Sequence, residues 1–343
     1  MLITEFDYEL PEELIAQEPL EKRESSRMLI VDRREESFGD GQFLDFPKFL
    51  KSSDVIVLNN TKVFPARLFG ATETGARVEV FLVRELEDQI WETLARPARR
   101  LKTGKKIIFG ERLAAEVLEK SAEGRVFVKF ETGVDFDRIL DEIGETPLPP
   151  YIKRGAGNLD EDRKRYQTVF ARQKGAIAAP TAGLHFTPAI LEEIRRLGAE
   201  IAEITLHVGY GTFEPVRVSE LSEHRVMPER YEIDEQTAAV LNRAKTENRR
   251  IIAIGTTTTR ALEAAAQADG VVRAGKNSAD LTITPGYEFK FIDGLLTNFH
   301  LPQSSLLVLV STFAGRELIM NAYRHAVASR YRFYSYGDCM LIL

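Results

Sequence analysis

Residues 66–130 read ARLFGATETGARVEVFLVRELEDQIWETLARPARRLKTGKKIIFGERLAAEVLEKSAEGRVFVKF. Apolar runs at 68–71, 78–83, 91–95, 106–109, 114–118 and 125–130 are broken by Gly75, Gly104, Gly110 and Gly124, residues suited to tight turns. Val78, Val80 and Leu82 alternate with Glu79 and Phe81, the period of a strand with one face buried. Six short strands with tight connections predict a small antiparallel β-barrel.

The flanks have a different grammar. Upstream, 11–17 reads as a short helix with proline in its first turn, 28–31 as a strand, 43–50 as a helix and 55–58 as a buried strand. Downstream, 135–143 reads as a helix, and the proline-rich stretch 147–150 cannot continue it. Beyond 155, strands expected at 175–179, 200–208, 250–254, 281–284, 295–299 and 339–343 alternate with helices. Those helices are expected from Thr187-Pro188 onward and at 234–248, 261–268, 304–313 and 316–328. The expected fold class is a discontinuous α/β main domain, 1–65 plus 150–343, with an inserted small antiparallel β-barrel domain, 66–149.

Composition bounds the function. The chain has 343 residues with 46 Lys+Arg against 52 Asp+Glu, hence a net charge of −6, and a single cysteine, Cys339. One cysteine rules out an internal disulfide, and a cytoplasmic protein is the simplest reading. The most apolar run, 306–313, is far short of the roughly 20 residues that span a bilayer, and the acidic N-terminus is unlike a signal peptide. No membrane association is expected. Charge is nonetheless uneven: RPARRLKTGKK, 96–106, is basic without interruption, and Arg99, Arg100, Lys102 and Lys105 form a candidate phosphate-contacting patch.

Several familiar motifs fail. GVVRAGKN at 270–277 has Asn277 where a phosphate loop needs Ser or Thr, and Glu214 occupies the third glycine position of a dinucleotide fingerprint. The five histidines are scattered, so no metal site is expected. Four loops after expected strands look functional instead, because α/β sheets bind ligands off the carboxyl ends of their strands. They are Asn59-Asn60-Thr61-Lys62, followed shortly by Arg67; the segment 179–187, with Thr181 and His185; the segment 207–213; and Gly255-Thr256-Thr257-Thr258-Thr259-Arg260. Four hydroxyls and an arginine at a helix start suit a carboxylate or phosphate. His185 and His300 each lie in a strand-end loop, where an imidazole can exchange protons.

Together, NNTKVFPARL (59–68), GAIAAPTAGLHFT (175–187), LHVGYGTFEPV (206–216), GTTTTRALE (255–263), PGYEFKFIDGLLTNFHLPQSSLLVLVSTFAG (285–315) and YRFYSYGDCMLI (331–342) resemble the S-adenosylmethionine:tRNA ribosyltransferase-isomerases of queuosine biosynthesis. The resemblance runs over essentially the whole chain, and that family's fold is an α/β domain with an inserted barrel. One stretch departs: 224–229 reads HRVMPE where the family usually carries His-x-Met-His-x-Glu, so Met227 replaces its second histidine.

The resemblance implies that S-adenosylmethionine is a co-substrate rather than a bound cofactor. Its ribose would be transferred and rearranged onto 7-aminomethyl-7-deazaguanine at the wobble position of a tRNA, the macromolecular partner. Epoxyqueuosine-tRNA would form, with adenine and methionine released; a cytoplasmic monomer is expected. The chemistry needs a base for the proton beside the sulfonium and a donor for the departing adenine. Chemistry and loop position nominate His185 and His300, with Asp293 and Glu263 as carboxylate alternatives. Substrate contacts are assigned to Asn60, Lys62, Arg67, Thr181, Tyr210, Thr212, Phe213, Thr256, Thr257, Arg260, Asn298 and Phe299. The methionine carboxylate would sit at 256–260, with Tyr210, Phe213 or Phe299 facing the sulfonium. His224 and Glu229 are further candidates. The competing readings are a non-catalytic tRNA-binding protein and an S-adenosylmethionine-dependent tRNA methyltransferase. A methyltransferase would normally carry a glycine-rich loop where Asn59-Asn60-Thr61 stands.

Overall fold

The alternating pattern of 66–130 is satisfied by closure. In the structure, a computed structural model, residues 1–122, 124–154, 159–213, 216–266 and 269–343 are described, without the side chains of Arg100, Leu159, Thr212 and Phe213. The chain opens with an antiparallel pair, β1 (Arg27–Asp32) and β2 (Ser37–Gln42), then β3 (Val55–Asn59) and the short β4 (Thr61–Val63). Six strands follow: β5 (Arg67–Thr72), β6 (Arg77–Glu87), β7 (Ile90–Arg96), β8 (Lys106–Ile108), β9 (Leu113–Lys120) and β10 (Val126–Thr132). They close in the order β10-β7-β6-β5-β8-β9, so no edge is left open. Val78, Val80 and Leu82 on β6, Leu113, Ala115 and Val117 on β9, and Val126, Val128 and Phe130 on β10 all point into one core. Helix α1 (Phe136–Ile143), capped by Asp135 accepting from the Arg138 amide at 2.7 Å, adds Ile139 and Leu140 to that core.

The rest of the chain builds a mixed sheet of nine strands. After α2 (Leu159–Arg165) and β11 (Gln173–Ala176), which pairs only with β4, come α3 (Pro188–Leu197), β12 (Glu200–Leu206) and β13 (Glu229–Ile233). Then follow α4 (Glu235–Thr246), β14 (Ile251–Ile254), α5 (Thr256–Ala265), β15 (Gly275–Ala279) and β16 (Gly294–Asn298). Helices α6 (Ser305–Ala314) and α7 (Arg316–Ala328) precede the last strand, β17 (Cys339–Ile342). The order is β15-β13-β12-β3-β14-β16-β17-β1-β2. The fully buried β3 lies between parallel β12 and β14, as the continuous VIVLN run requires of a central strand.

Several expected elements shift. Segments 11–17 and 43–50 give only 3-10 turns, at Glu12–Leu14 and Phe43–Phe49, the latter interrupted by Pro47. The strand expected at 175–179 ends at Ala176. No strand forms at 281–284, where the Leu281 carbonyl accepts from Arg260 and the Thr282 hydroxyl accepts from the Val226 amide. The helix expected at 261–268 begins five residues earlier, at Thr256, and 267–268 lie outside the described residues.

Among the described residues no single helix is long and apolar enough to cross a membrane. Helices α6 and α7 meet at a 119° bend, and Leu307–Val310 of α6 pack inside the core.

Candidate active site

Parallel β12, β14 and β16 end on the same side of the sheet, and antiparallel β17 brings its entry turn there too, with Cys339 opposite Asn298. The loops leaving these strands surround a cavity of about 450 Å³, within the roughly 300–1,000 Å³ usual for small-molecule sites. Its walls include Thr181, Val208 and Gly211, the start of α5, the segment 297–306, and the turn at Tyr334-Ser335. Thr181, Thr256, Thr257, Arg260, Asn298, Phe299 and His300 from the sequence reading all line it.

The start of α5 is narrower in chemistry than its four hydroxyls suggest. Gly255 precedes the helix at φ +95°, a conformation that strains any residue with a Cβ, and it lets the first turn begin directly at the strand end. Thr258 and Thr259 turn inward and donate to the Ile254 and Gly255 carbonyls at 2.7 and 3.2 Å. Only Thr256 and Thr257 face the cavity. Arg260 donates to Glu229 Oε2 at 2.6 Å and to the Ala279, Leu281 and Met227 carbonyls, so its charge is met by a buried carboxylate. Glu229 also accepts from the Gly209 amide, joining β13 to the loop after β12.

His300 stands on the cavity wall, its Nε2 2.9 Å from Thr297 Oγ1. The surrounding protein disfavours the imidazolium and pushes the ring's pKa down to about 3, so it is neutral at physiological pH. His185 is one layer back. Its Nε2 lies 3.2 Å from Asn298 Oδ1 and its Nδ1 2.7 Å from Ser26 Oγ. The Asn298 amide nitrogen donates to the Tyr334 carbonyl, so Asn298 Oδ1 is an acceptor and His185 carries its proton on Nε2. Burial pushes this imidazole down to about 4. His224 lies at the rim, Nε2 2.7 Å from the hydroxyl of the cavity residue Ser305, and burial lowers its pKa as well. Val226 lines the cavity, while Met227, the departure from the family pattern, packs beside Gly211.

Other nominated residues lie elsewhere. Glu263 accepts from the Tyr287 hydroxyl and the amides of Lys290, Phe291 and Ile292, which saturates its carboxylate away from the cavity. Asp293 accepts from the Ile251 amide at the opposite, entering end of β14. The structure brings neither carboxylate to the cavity wall. Asn60 binds Thr205 and Glu203, and Lys62 lies on β4; Arg67 pairs with Glu79 on the barrel at 2.9 Å. Tyr210 packs on Phe81 and under Arg125, also on the barrel. None of these four lines the cavity. The polar density of Asn59-Asn60-Thr61 instead ties β3 to β12, Asn59 bonding both backbone groups of Leu206. The side chains of Thr212, Phe213 and Arg100 lie outside the described residues. Arg99 and Lys102 are exposed beside Lys105 and carry no ion pair among the described residues.

Sequence reading missed one wall: Tyr151, Tyr166, Tyr334 and Ser335. The YSYG run at 334–337 was the available signal, a tyrosine-rich turn just before a strand.

A small-molecule cavity at the switch point of an α/β sheet, beside a closed barrel, is the architecture of a metabolite-handling enzyme. A family model described as queuosine biosynthesis protein matches residues 3–342. The chain is 50% identical to the S-adenosylmethionine:tRNA ribosyltransferase-isomerase of Syntrophotalea carbinolica over 345 residues, covering 100% of both chains. It is 51% identical to that of Citrifermentans bemidjiense over 344 residues, again covering 100% of both. The crystal structure of S-adenosylmethionine tRNA ribosyltransferase from Thermotoga maritima is similar at 37% identity and a TM-score of 0.56, covering 99% of this chain and 100% of that one. The chain belongs to the queuosine biosynthesis family of S-adenosylmethionine:tRNA ribosyltransferase-isomerases. It is an enzyme, a transferase and isomerase of tRNA modification.

Proposed function

We propose that the chain transfers and isomerises the ribosyl group of S-adenosylmethionine onto 7-aminomethyl-7-deazaguanine at the wobble position of tRNA, giving epoxyqueuosine-tRNA and releasing adenine and methionine. The observation that carries this is the full-length identity, about 50%, to relatives bearing the ribosyltransferase-isomerase name. The strand-end cavity supports it, being of a size for a nucleoside-bearing ligand.

Within the cavity, the Thr256–Thr257 helix start suits the methionine carboxylate, with free amides and the positive end of the dipole. Phe299 lies on the wall, but its ring is fully buried against Tyr323, Tyr331 and Phe333, so an aromatic face for the sulfonium falls to the tyrosines of the cavity instead. His300 is the proton-transferring group by position: its neutral ring has a lone pair for the proton on the carbon beside the positive sulfur. Its low pKa makes it a weak base that depends on the sulfonium to acidify that carbon, and the imidazolium so formed is a strong donor to departing adenine. The tRNA backbone lies against Arg99, Arg100, Lys102 and Lys105 on the barrel. We read 66–149 as a separate barrel domain, its core drawn mainly from its own strands and α1 with Phe64 and Ile177 at the junction, which supports that division of labour.

The test is turnover with S-adenosylmethionine and tRNA bearing 7-aminomethyl-7-deazaguanine, with products identified by mass spectrometry. Adenine and methionine are expected, and S-adenosylhomocysteine in their place overturns the reading. His300→Gln is expected to lower kcat at least 100-fold, with full turnover removing its assigned role.

A further inference from the structure

Tyr334 concentrates two unfavourable features at one position of the cavity wall. Its backbone is left-handed, φ +71°, a conformation that strains a non-glycine residue. Its side chain is 9% exposed, and its hydroxyl has no hydrogen-bond partner among the described residues. Buried hydroxyls are ordinarily satisfied, because leaving one unpaired forfeits its hydration without return.

The surrounding bonds hold the strained turn in place. The Tyr334 amide donates to the Phe299 carbonyl, and its own carbonyl accepts from the Gly337 amide at 2.9 Å and Asn298 Nδ2 at 2.8 Å. Asn298 is fixed by His185, and His185 by Ser26. Asp338 then clamps the base of the turn, accepting from the Arg27 and Arg332 amides at 2.8 Å each. The Tyr334 ring packs on Tyr151 with centroids 4.1 Å apart, and the Tyr151 hydroxyl meets Ser335 Oγ. The result is an aromatic wall on the cavity whose Tyr334 hydroxyl is buried and unpaired among the described residues.

We propose that Tyr334 contacts substrate: its hydroxyl bonds the polar edge of a purine-type base seated against the Tyr151–Tyr334 wall, and the Ser26–His185–Asn298 chain positions it. This rests on the function proposed above, in which each reactant carries such a base, adenine on one and 7-deazaguanine on the other. His185 is thereby a positioning residue, not the group that moves the proton.

Tyr334→Phe in the full chain separates the outcomes. Removing an unpaired hydroxyl leaves the melting temperature of the substrate-free protein unchanged or higher. The KM for one reactant rises about tenfold, the loss of one buried hydrogen bond, while kcat changes far less. A rise for S-adenosylmethionine identifies adenine as the bound base, and a rise for tRNA identifies the deazaguanine. Unchanged KM for both reactants, or a lower melting temperature, overturns the proposal. His185→Gln is expected to raise the same KM and to keep the wild-type pH profile of kcat/KM; loss of one limb of that profile at unchanged KM overturns the positioning role. Ser26→Ala serves if the glutamine variant does not fold. A wild-type enzyme that releases no adenine from the two reactants removes the underlying function, whereas normal wild-type turnover matched by Tyr334→Phe removes this inference alone.

Discussion

Arg260, read from the sequence as a substrate contact, and Glu229, a further site candidate, meet each other, 2.6 Å apart and nearly buried. Residue type and loop position could not reveal this, because the pairing depends on the fold bringing the first residue of β13 to α5. Glu229→Ala leaves the guanidinium uncompensated and is expected to cost about 3–5 kcal/mol in denaturant unfolding; unchanged stability would show that the pair is not a strut. The buried histidine has its own signature. His185 titrates near 4 when folded and near 6.5 when unfolded, so the unfolded chain takes up the proton first as pH falls. Stability should therefore decline from about pH 6.5 downward, with His185 accounting for roughly 3 kcal/mol by pH 4. His185→Gln should flatten that decline in thermal melts across this range, and an equally steep decline would assign it to other groups. The motifs identified His185 as important, but only the bonds to Ser26 and Asn298 distinguish a brace from a proton carrier.

At the scale of elements, legibility followed the strength of the side-chain period. All six barrel strands were anticipated because their inward faces alternate strictly, as in Val78, Val80 and Leu82. Four other strands were not, the three-residue β4 among them. SFGDGQ in β2 and GKNSA in β15 have almost no apolar pattern, since strands near a sheet edge bury little, and ERYEI in β13 is short and mostly polar. The early start of α5 was obscured by β-branched threonines, which disfavour a helix until two of them donate back to carbonyls. Gly255 makes that start possible. Gly255→Ala meets only ordinary contacts, with Ala182 and Thr257 at 3.7–3.8 Å, so its cost is conformational, about 1–2 kcal/mol. It is expected also to raise the KM for S-adenosylmethionine, as the helix start shifts; an unchanged KM would separate that start from the methionine carboxylate.

For the whole molecule, a net charge of −6 conceals a basic barrel segment suited to a polyanion. Arg99→Gln, Lys102→Gln and Lys105→Gln combined should weaken tRNA binding and lower the slope of log affinity against log salt by about 2–3, leaving the KM for S-adenosylmethionine unchanged. An unchanged slope would move the phosphate surface off this segment. The α/β sheet with its inserted barrel was legible from strand periods and turn residues; of the four loops singled out at strand ends, three reach the cavity and Asn59-Asn60-Thr61-Lys62 does not. The tyrosine wall was not, because its residues come together only where antiparallel β17 enters beside the exit of β16. The central claim concerns the fate of the ribose. Turnover with S-adenosylmethionine carrying ¹³C throughout the ribose, followed by digestion of the tRNA and mass spectrometry, tests it most directly. The ribose label is expected in the modified wobble nucleoside, with none transferred from a parallel sample labelled in the methyl group. Methyl label in the tRNA, with ribose label retained on S-adenosylhomocysteine, would contradict it.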